Sequence, residues 1–417
     1  MPLSGRSKWR SLLPQDTLRR LQLSILLSSL GIVVITAGLP VYLSEIGATG
    51  FELGGVFAVG ALTTALPRPL IGRALDLHGR KRFLIAGIII VAVSMVLYGL
   101  ARDIGMLFVA STAQGFGTGT MLLSAYAMTA DLTLRSGRGG SFGSTEQAQY
   151  RGGLYGGLLA APVLLFTGFD QAGNLRITPD AWSILFMLFA LGALAGLAIA
   201  VFGLGETYAR APETGEPVSH EANKIDRQLY VLMAIVALTS ASSAGIAPFI
   251  LKFIQDHITQ NLLLLGLAYL PASLVWGFMP SRMGLIADRF GRKLPIAVGL
   301  TMSGLFSAVI PLLTTIVPLA LFAMIEALCY SAAVPAEQAF VADMTGGKRR
   351  GIGFGLYTLA QSAGRVIGPL IMGALYDQFR AGPFVANAVI LLLGSGLVLF
   401  MLRDPWRRRV PSVSSGK

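Results

Sequence analysis

The chain has 417 residues, of which 54% are hydrophobic and only 13% are charged, and its formal net charge is +12. Soluble domains carry roughly 25% charged residues, so most of this chain must face lipid or other apolar helices. Nucleic-acid binding is excluded, because the basic residues cluster in short loops and no aromatic-basic face could stack bases. The one cysteine, Cys329, leaves no disulfide framework.

Twelve apolar segments of about 20 residues follow one another along the chain, and each could cross a bilayer core of roughly 30 Å as a helix. They predict an all-α membrane protein with twelve transmembrane helices. The first segment is too long for the core of a cleaved signal peptide. The predicted spans are 21–43, 52–71, 83–101, 105–130, 147–168, 181–203, 229–254, 260–281, 294–313, 317–342, 352–376 and 383–402.

The distribution of loop charges predicts the orientation in the membrane. Lys and Arg concentrate in the loops on the side of the N-terminus, whereas the opposite loops carry few of them. By the positive-inside rule, both termini are predicted to be cytoplasmic, in a multi-pass protein of the plasma (inner) membrane. The predicted parts are a cytoplasmic arm (1–20), a six-helix bundle (21–205), a polar linker (206–228), a second six-helix bundle (229–402) and a cytoplasmic tail (403–417).

A compact basic turn is written twice in the chain. The turn GRALDLHGRKR at 72–82 returns as GLIADRFGRK at 284–293, and this indicates an internal duplication. Every matched pair is 212 positions apart. The pairs include Asp76 and Asp288, Gly79 and Gly291, Arg80 and Arg292, Asp131 and Asp343, Arg138 and Arg350, Gln149 and Gln361, and the glycines at 152 and 156 with those at 364 and 368.

Such a turn suits the cytoplasmic end of two neighbouring membrane helices. Gly72 would let neighbouring backbones approach closely, and Gly79 could adopt the left-handed backbone that ends a helix. Asp76 lies one turn after Gly72 and therefore on the same helix face. Lys81 and Arg82 are interpreted as charges that set the topology. Topology alone does not explain an aspartate at the same spacing in both copies.

The doubled turn resembles the loop signature of the major facilitator superfamily, G-x-x-x-D-x-x-G-R-[RK], and the resemblance covers nearly the whole chain. It implies two pseudo-symmetric six-helix bundles that transport a substrate by alternating access. It also implies a charge network that holds the cytoplasmic side closed. The residues assigned to this network are Gly72, Arg73, Asp76, Gly79, Arg80, Asp131, Arg138, Asp288, Gly291, Arg292, Asp343 and Arg350.

Charged residues inside predicted spans are candidates for function, because each costs roughly 2.5–3.5 kcal/mol on insertion scales. Glu326, Tyr330 and Glu337 share one face of the tenth helix, which the resemblance places beside the cavity. A carboxylate desolvated there would hold its proton more tightly, so Glu326 is the first candidate for a proton carrier, while Glu337 could pair with Arg365 or Arg151. The predicted substrate or proton pathway comprises Arg68, Gln114, Glu146, Arg151, Glu326, Tyr330, Glu337 and Arg365.

Two motifs differ from those of the drug/proton antiporters in this superfamily. The fourth helix has STAQG at 111–115 where the antiporters show R-x-x-Q-G, and the fifth helix lacks the proline of G-x-x-x-G-P. Because the basic residue and this proline are missing, coupling to protons, to sodium or to neither stays open.

The leading interpretation is a secondary transporter that needs no cofactor, works as a monomer and exports a small amphipathic molecule with the proton gradient. Uptake of a small organic anion or another metabolite is the alternative, with Arg68, Arg151 and Arg365 supplying positive charge. A membrane-embedded enzyme is disfavoured, since the three histidines are scattered without metal-ligand spacing or a Ser/His/Asp grouping. The chain also has no G-x-x-x-x-G-K-[ST] motif, which argues against ATP-driven pumping.

Overall fold

The computed structural model describes residues 14–132, 138–167, 178–207, 227–279, 282 and 291–403. These residues form helices and short connections and contain no β-strand, so the prediction of an all-α protein is confirmed. Inside the helices, the described side chains exclude those of residues 14–15, 76, 130, 138–142, 167, 262–263, 342–343 and 345–355.

The N-terminal half contains eight described α-helices and one π-helical segment. They are α1 (Pro14–Ser28), the π-helix (Val34–Gly38), α2 (Leu39–Glu45), α3 (Gly50–Ala65), α4 (Arg68–His78), α5 (Arg80–Leu100), α6 (Ile104–Leu132), α7 (Arg138–Thr167) and α8 (Pro179–Gly203). The described part of the C-terminal half contains α9 (Arg227–His257), α10 (Leu262–Phe278), α11 (Lys293–Val309) with a 3₁₀ turn (Ile310–Leu312), α12 (Ile316–Gln378) and α13 (Gly382–Met401).

Seven described helical segments are long and apolar enough to cross a membrane, and α10 adds a shorter apolar stretch, Leu264–Phe278. The seven are Gly50–Leu75, Arg80–Leu100, Pro179–Gly203, Arg227–His257, Lys293–Leu312, Ile316–Val341 and Gly382–Met401. Each of them coincides with a span predicted from hydropathy, which supports a multi-pass membrane protein.

The first predicted span, 21–43, is interrupted rather than continuous. α1 ends at Ser28, a turn follows, and the π-helix Val34–Gly38 precedes α2. Pro40 gives a physical reason, because it has no backbone N–H and its ring would clash with the carbonyl group four residues earlier in a regular helix. A wider π turn relieves this conflict. Hydropathy alone does not reveal such an interruption.

The predicted tenth and eleventh spans lie in one helical element, α12. A straight helix would separate Glu337 and Tyr357 by about 30 Å, yet the Tyr357 hydroxyl donates a 2.9 Å hydrogen bond to Glu337 Oε2. The chain therefore reverses direction between these residues. We call Ile316–Val341 the first arm of α12 and residues 356–378 its second arm.

The chain divides into two compact units. The first unit comprises Met1–Ala48 and Val59–Pro217, and the second comprises Thr49–Ala58 and Val218–Lys417. The beginning of α3 thus groups with the second unit, although the sequence assigned it to the first bundle. Each unit has its own apolar core, built in the first from α1, α5, α6, α7 and α8 and in the second from α9, α11, α12 and α13.

Glycines bring two helices of the first unit into backbone contact. A Cβ atom added to Gly152 or Gly156 of α7 would overlap the carbonyl oxygen of Leu26 or Leu30, respectively. The two glycines are one helical turn apart, so they form a flat strip on which the first helix lies. Small residues at this spacing allow membrane helices to pack closely.

The second unit repeats this arrangement between the second arm of α12 and α9. A Cβ atom on Gly364 would lie 2.6 Å from the Ala237 carbonyl oxygen, and one on Gly368 would overlap that of Ala241. The duplication is therefore visible in the packing as well as in the sequence.

Candidate functional site

A carboxylate caps the basic turn of the first unit. α4 ends at His78, Gly79 adopts a positive φ of 91°, and α5 begins at Arg80. Glu206, just beyond α8, accepts hydrogen bonds from the backbone N–H groups of Arg80 (2.9 Å) and Lys81 (3.2 Å). A negative charge at this position stabilises the positive end of the α5 dipole. The expected positive φ of Gly79 is confirmed, although its ψ of 161° is extended rather than helical.

The side chain of Arg80 joins α5 to the end of α6. Its guanidinium forms an ion pair with Asp131 and donates to the carbonyl oxygen of Ala127 at 2.9 Å. Asp131 also accepts a 3.0 Å hydrogen bond from the Thr207 hydroxyl. The side chains of Arg80 and Asp131 are 15% and 25% exposed, respectively. The structure thus brings together Arg80 and Asp131, two members of the predicted charge network.

Lys81 has a structural role that the sequence did not suggest. Its ammonium group donates hydrogen bonds of 2.7 Å to the carbonyl oxygens of Val201 and Leu204, at the C-terminal end of α8. A cation there satisfies carbonyl groups that lack helical partners and complements the dipole. Glu206 and Lys81 therefore fasten the beginning of α5 to the end of α8 with opposite charges.

The close backbone approach predicted at Gly72 is not found among the described residues. A Cβ atom added there would meet nothing within 4 Å. Arg73 is exposed. Asp76 lies near the end of α4 and Arg138 begins α7, but their side chains are outside the described set.

The second copy of the turn is described only from Gly291 onwards. Gly291 has a positive φ of 87°, as Gly79 does, and the buried Arg292 precedes α11. Asp288 lies outside the described residues, as does Gly284, with which this copy begins. The remaining predicted members of the network belong to α12, where the side chains of Asp343 and Arg350 are not described.

The three polar residues predicted to share a face of the tenth helix contact three different elements. Glu326 accepts a hydrogen bond from the hydroxyl of Ser303, on α11. The ring of Tyr330 lies 6.1 Å from that of Trp276, on α10, in an edge-to-face arrangement. Glu337 is bonded to the second arm of α12. They line one arm but do not form one cluster.

Glu337 is buried, with 5% of its surface exposed, and its described hydrogen bond comes from a hydroxyl group. Tyr357 donates to it at 2.9 Å, and the Gln361 side-chain amide donates to the Tyr357 hydroxyl at 2.9 Å. Glu337 makes no described ion pair with Arg365, contrary to expectation, and its pairing with Arg151 of the first unit stays a prediction. The reversal of α12 brings Tyr357 to this position.

Arg365 is exposed near the middle of the second arm. It follows Tyr357 by eight residues on this arm and lies at about the same height along α12 as Tyr330. Of the other predicted pathway residues, the Gln114 amide donates to the Thr118 hydroxyl at 3.1 Å on α6. Three half-buried charges also belong to the first unit: Arg68, at the first residue of α4, and Glu146 and Arg151, on α7.

A second carboxylate cap lies at the beginning of α3. Asp377, at the end of α12, accepts hydrogen bonds from the backbone N–H groups of Gly50 (2.7 Å) and Phe51 (2.9 Å). Both glycines at this contact are required, since a Cβ atom on Gly373 would overlap the Gly50 carbonyl oxygen. The contact explains why residues 49–58 group with the second unit.

Asp256, near the end of α9, is the shared partner of a hydroxyl group and two basic side chains. It accepts hydrogen bonds of 2.8 Å from the Tyr376 hydroxyl and from Arg380, and Lys252 lies 3.7 Å away. Elsewhere, among the residues that the structure describes, no group of three or more His, Cys, Asp or Glu is arranged to hold a metal ion.

Comparison with known families gives a match along almost the whole chain. The model of the Major Facilitator Superfamily matches residues 21–283 and 232–416. Two solved structures are similar in fold. The human organic anion transporter MFSD10 (TETRAN) has a TM-score of 0.66 and 17% identity over 93% of this chain and all of its own. A peptide transporter in complex with sulfate has a TM-score of 0.73 and 13% identity over 92% and 94% of the two chains.

Two curated relatives are similar in sequence over most of their length. Multidrug resistance protein 1 of Bacillus subtilis is 25% identical over 91% of this chain and 96% of its own. Multidrug resistance protein MdtG of Escherichia coli O9:H4 is 24% identical over 90% of this chain and 91% of its own.

Proposed function

Because the chain belongs to the Major Facilitator Superfamily, whose members are transporters and not enzymes, we propose that it exports small amphipathic compounds in exchange for protons. Two relatives with the name multidrug resistance protein support export. The proposal places the protein in the plasma (inner) membrane as a monomer with both termini in the cytoplasm. It requires no cofactor other than a proton gradient.

The observation that carries proton coupling is the pair of hydroxyl-bonded carboxylates on the first arm of α12. Glu326 is bonded to Ser303 and Glu337 to Tyr357, and neither has a cationic partner among the described contacts. Burying an ionised carboxylate without a cation is costly. A bound proton removes that cost, so each side chain is suited to exchange a proton during transport.

Along α12, Glu326 and Glu337 lie on opposite sides of the height at which Tyr330 and Arg365 lie. Glu337 and Tyr357 meet, and from there Tyr330 and Arg365 lie seven and eight residues along arms that run in opposite directions, on the order of 10–12 Å away. Glu326 lies one further turn beyond Tyr330. We propose that Glu326, near the middle of its span, carries the coupling proton. Glu337 would exchange this proton with the cytoplasmic side.

Purified protein in liposomes with an acidic interior tests the proposal. Exchange of external substrate for internal protons should concentrate fluorescent amphipathic compounds inside, and nigericin, which collapses the pH gradient, should abolish this accumulation. The double variant Glu326→Gln/Glu337→Gln should bind the same compounds but not concentrate them. Accumulation by the double variant with unchanged pH dependence would overturn the assignment of the proton to this arm.

Uptake of a small organic anion is the second candidate, and the exposed Arg365 favours it. The human organic anion transporter of similar fold is compatible with it. The direction of the gradient separates the two functions, because an anion carried together with protons would accumulate only when the exterior is acidic. Accumulation in that orientation alone would replace export by uptake.

A further inference from the structure

Arg365 is a charged residue in a place where membrane proteins rarely tolerate one. It lies near the middle of the predicted span 352–376, in the arm of α12 that packs by Gly364 and Gly368 onto α9. The guanidinium does not lose its proton in proteins, so the charge is permanent. An exposed, permanently charged group at this depth must face water rather than hydrocarbon.

The neighbours of Arg365 do not neutralise it. Tyr330 lies at about its height along α12, and Tyr357 lies about two turns away on its own arm; the hydroxyls of both are neutral groups. The two carboxylates on the first arm, Glu326 and Glu337, take hydrogen bonds from Ser303 and Tyr357, and neither makes a described ion pair with Arg365. Among the described contacts, then, a cation in the membrane interior has no anion of the protein bound to it.

An apolar surface adjoins this cation. Tyr330 is half-buried, and its ring contacts the half-buried ring of Trp276 at 6.1 Å. A water-facing guanidinium beside aromatic rings offers two kinds of recognition at once. It gives a fork of donors for an oxyanion and an apolar platform for a ring or chain.

We propose that Arg365 binds an anionic group of the transported compound, while Tyr330 and Trp276 contact its apolar part. The substrates are therefore amphipathic organic anions such as aromatic sulfonates and carboxylates. This inference rests on the proposed transport function and specifies the substrate of the same unit. It does not depend on the direction of transport.

A matched set of probes tests the charge requirement in the unmodified protein. Naphthalenesulfonate, naphthalenesulfonamide and naphthyltrimethylammonium share one aromatic scaffold and carry a negative, a neutral and a positive group. Radiolabelled compounds are bound to the purified protein in nanodiscs. The sulfonate should bind about 10- to 100-fold more tightly than the sulfonamide, as expected for a charge-assisted hydrogen bond.

Variants then assign this preference to Arg365. Arg365→Gln should weaken sulfonate binding by about the same factor and leave sulfonamide binding unchanged, while Arg365→Lys should retain part of the preference because it keeps the charge but not the fork. The matched control is Arg227→Gln, which removes the same charge from the exposed first residue of α9. It should leave all three affinities unchanged.

The outcomes separate this inference from the proposed function. Equal binding of sulfonate and sulfonamide to the unmodified protein overturns the anion site, and this result does not need a folded variant. A preference that survives in Arg365→Gln assigns the anion to another residue and also overturns it. Failure of the unmodified protein to transport any compound in liposomes counts against the proposed function instead.

Discussion

α6 of the first unit and the first arm of α12 in the second occupy matched positions of the duplication, yet they carry different chemistry. On α6, Gln114 is bonded to Thr118 within one helix. The residues 212 positions later are Glu326 and Tyr330, which contact Ser303 on α11 and Trp276 on α10 instead. Gln114 and Thr118 are neutral and bond to each other, whereas Glu326 and Tyr330 are an acid and a phenol that contact neighbouring helices.

The two units also differ at a second matched site, which lies further along α6 and the first arm of α12. Ala125 is buried in the first core, and Thr129 bonds to its carbonyl oxygen at 2.8 Å and to the Thr145 hydroxyl at 3.1 Å. The matched residues in the second unit are Glu337 and Tyr357, which bond to each other. The glycine-packed helix pairs are alike in both units, so the packing is shared. At these two matched sites, the acidic residues, Glu326 and Glu337, lie in the second unit only.

The largest effect is expected from making the second unit like the first at position 326. Glu326→Gln gives this position the residue found at Gln114 and removes the group that exchanges a proton. We expect accumulation driven by a pH gradient to fall to the level without a gradient, while binding persists. Uptake into liposomes, with and without nigericin, measures the accumulation, and binding of the same compound to the purified protein is measured separately.

The reverse exchange sharpens that result. Gln114→Glu, placed on the Glu326→Gln background, restores the number of carboxylates but not their location beside Ser303. Accumulation should stay absent. If the relocated carboxylate restored it, the position in the second unit would not be essential, and the comparison between the units would lose its functional meaning.

The shared packing predicts equal losses of stability in the two units. Gly156→Ala and Gly368→Ala each place a Cβ atom on a backbone carbonyl oxygen, which cannot rotate away. We expect each to lower the free energy of unfolding by about 1–3 kcal/mol, as in other overpacked interiors. Thermal unfolding followed by intrinsic fluorescence measures this loss.

Control glycines are present in both units. Gly72 in the first and Gly266 in the second have open space where a Cβ atom would stand. Alanine at these positions should be neutral or stabilising by up to about 1 kcal/mol, since glycine is the poorer helix former. A loss at Gly72→Ala as large as that at Gly156→Ala would contradict the open environment of α4.

A smaller difference is expected from the hydrogen bonds at the second matched site. Tyr357→Phe removes the donor to Glu337 and leaves a buried carboxylate without its described partner, at a cost of about 1–3 kcal/mol. Thr145→Val removes a hydroxyl whose partner, Thr129, still bonds to Ala125, so about 1 kcal/mol or less is expected. Equal melting temperatures for the two variants would show that the Glu337–Tyr357 bond stabilises the protein no more than the Thr145–Thr129 bond does.

Much of this architecture can be read from the sequence because membrane helices must be long and apolar and because the chain repeats itself. The offset of 212 singles out Arg80 and Asp131, and the resemblance to the superfamily assigns both of them to one charge network. The role of Glu206 was not found, because its contact with Arg80 depends on where α8 ends in space. Pro40 was a visible signal for the interrupted first helix, but a hydropathy window averages over it.

The partners of the intramembrane charges were harder to predict. Helical spacing predicts that Glu326 and Glu337 share one face of the helix, but it does not say which helix lies opposite each residue. Oppositely charged residues were the natural expectation for Glu337, and the structure bonds it to Tyr357. Side-chain pairing across 20 residues follows from the reversal of α12, whose packing cannot be derived from periodicity.

The smallest effects are expected at two helix beginnings capped by distant carboxylates, one in each unit. Glu206→Gln at α5 and Asp377→Asn at α3 keep the side-chain shape and one oxygen acceptor but remove the charge. The loss is the interaction of that charge with the helix dipole, about 0.3–1 kcal/mol at exposed positions, together with the one backbone hydrogen bond that the amide nitrogen cannot accept. Because both carboxylates are exposed, salt should screen the contribution of the charge. Melting temperatures at low and high salt measure this loss, which should be similar in the two variants and shrink together as salt rises. A loss for Glu206→Gln well above that for Asp377→Asn would mean that Glu206 acts through the neighbouring charges of Arg80, Lys81 and Asp131 as well as through the helix end. The capped turn of the first unit would then be a coupled charge cluster that the cap at α3 does not reproduce.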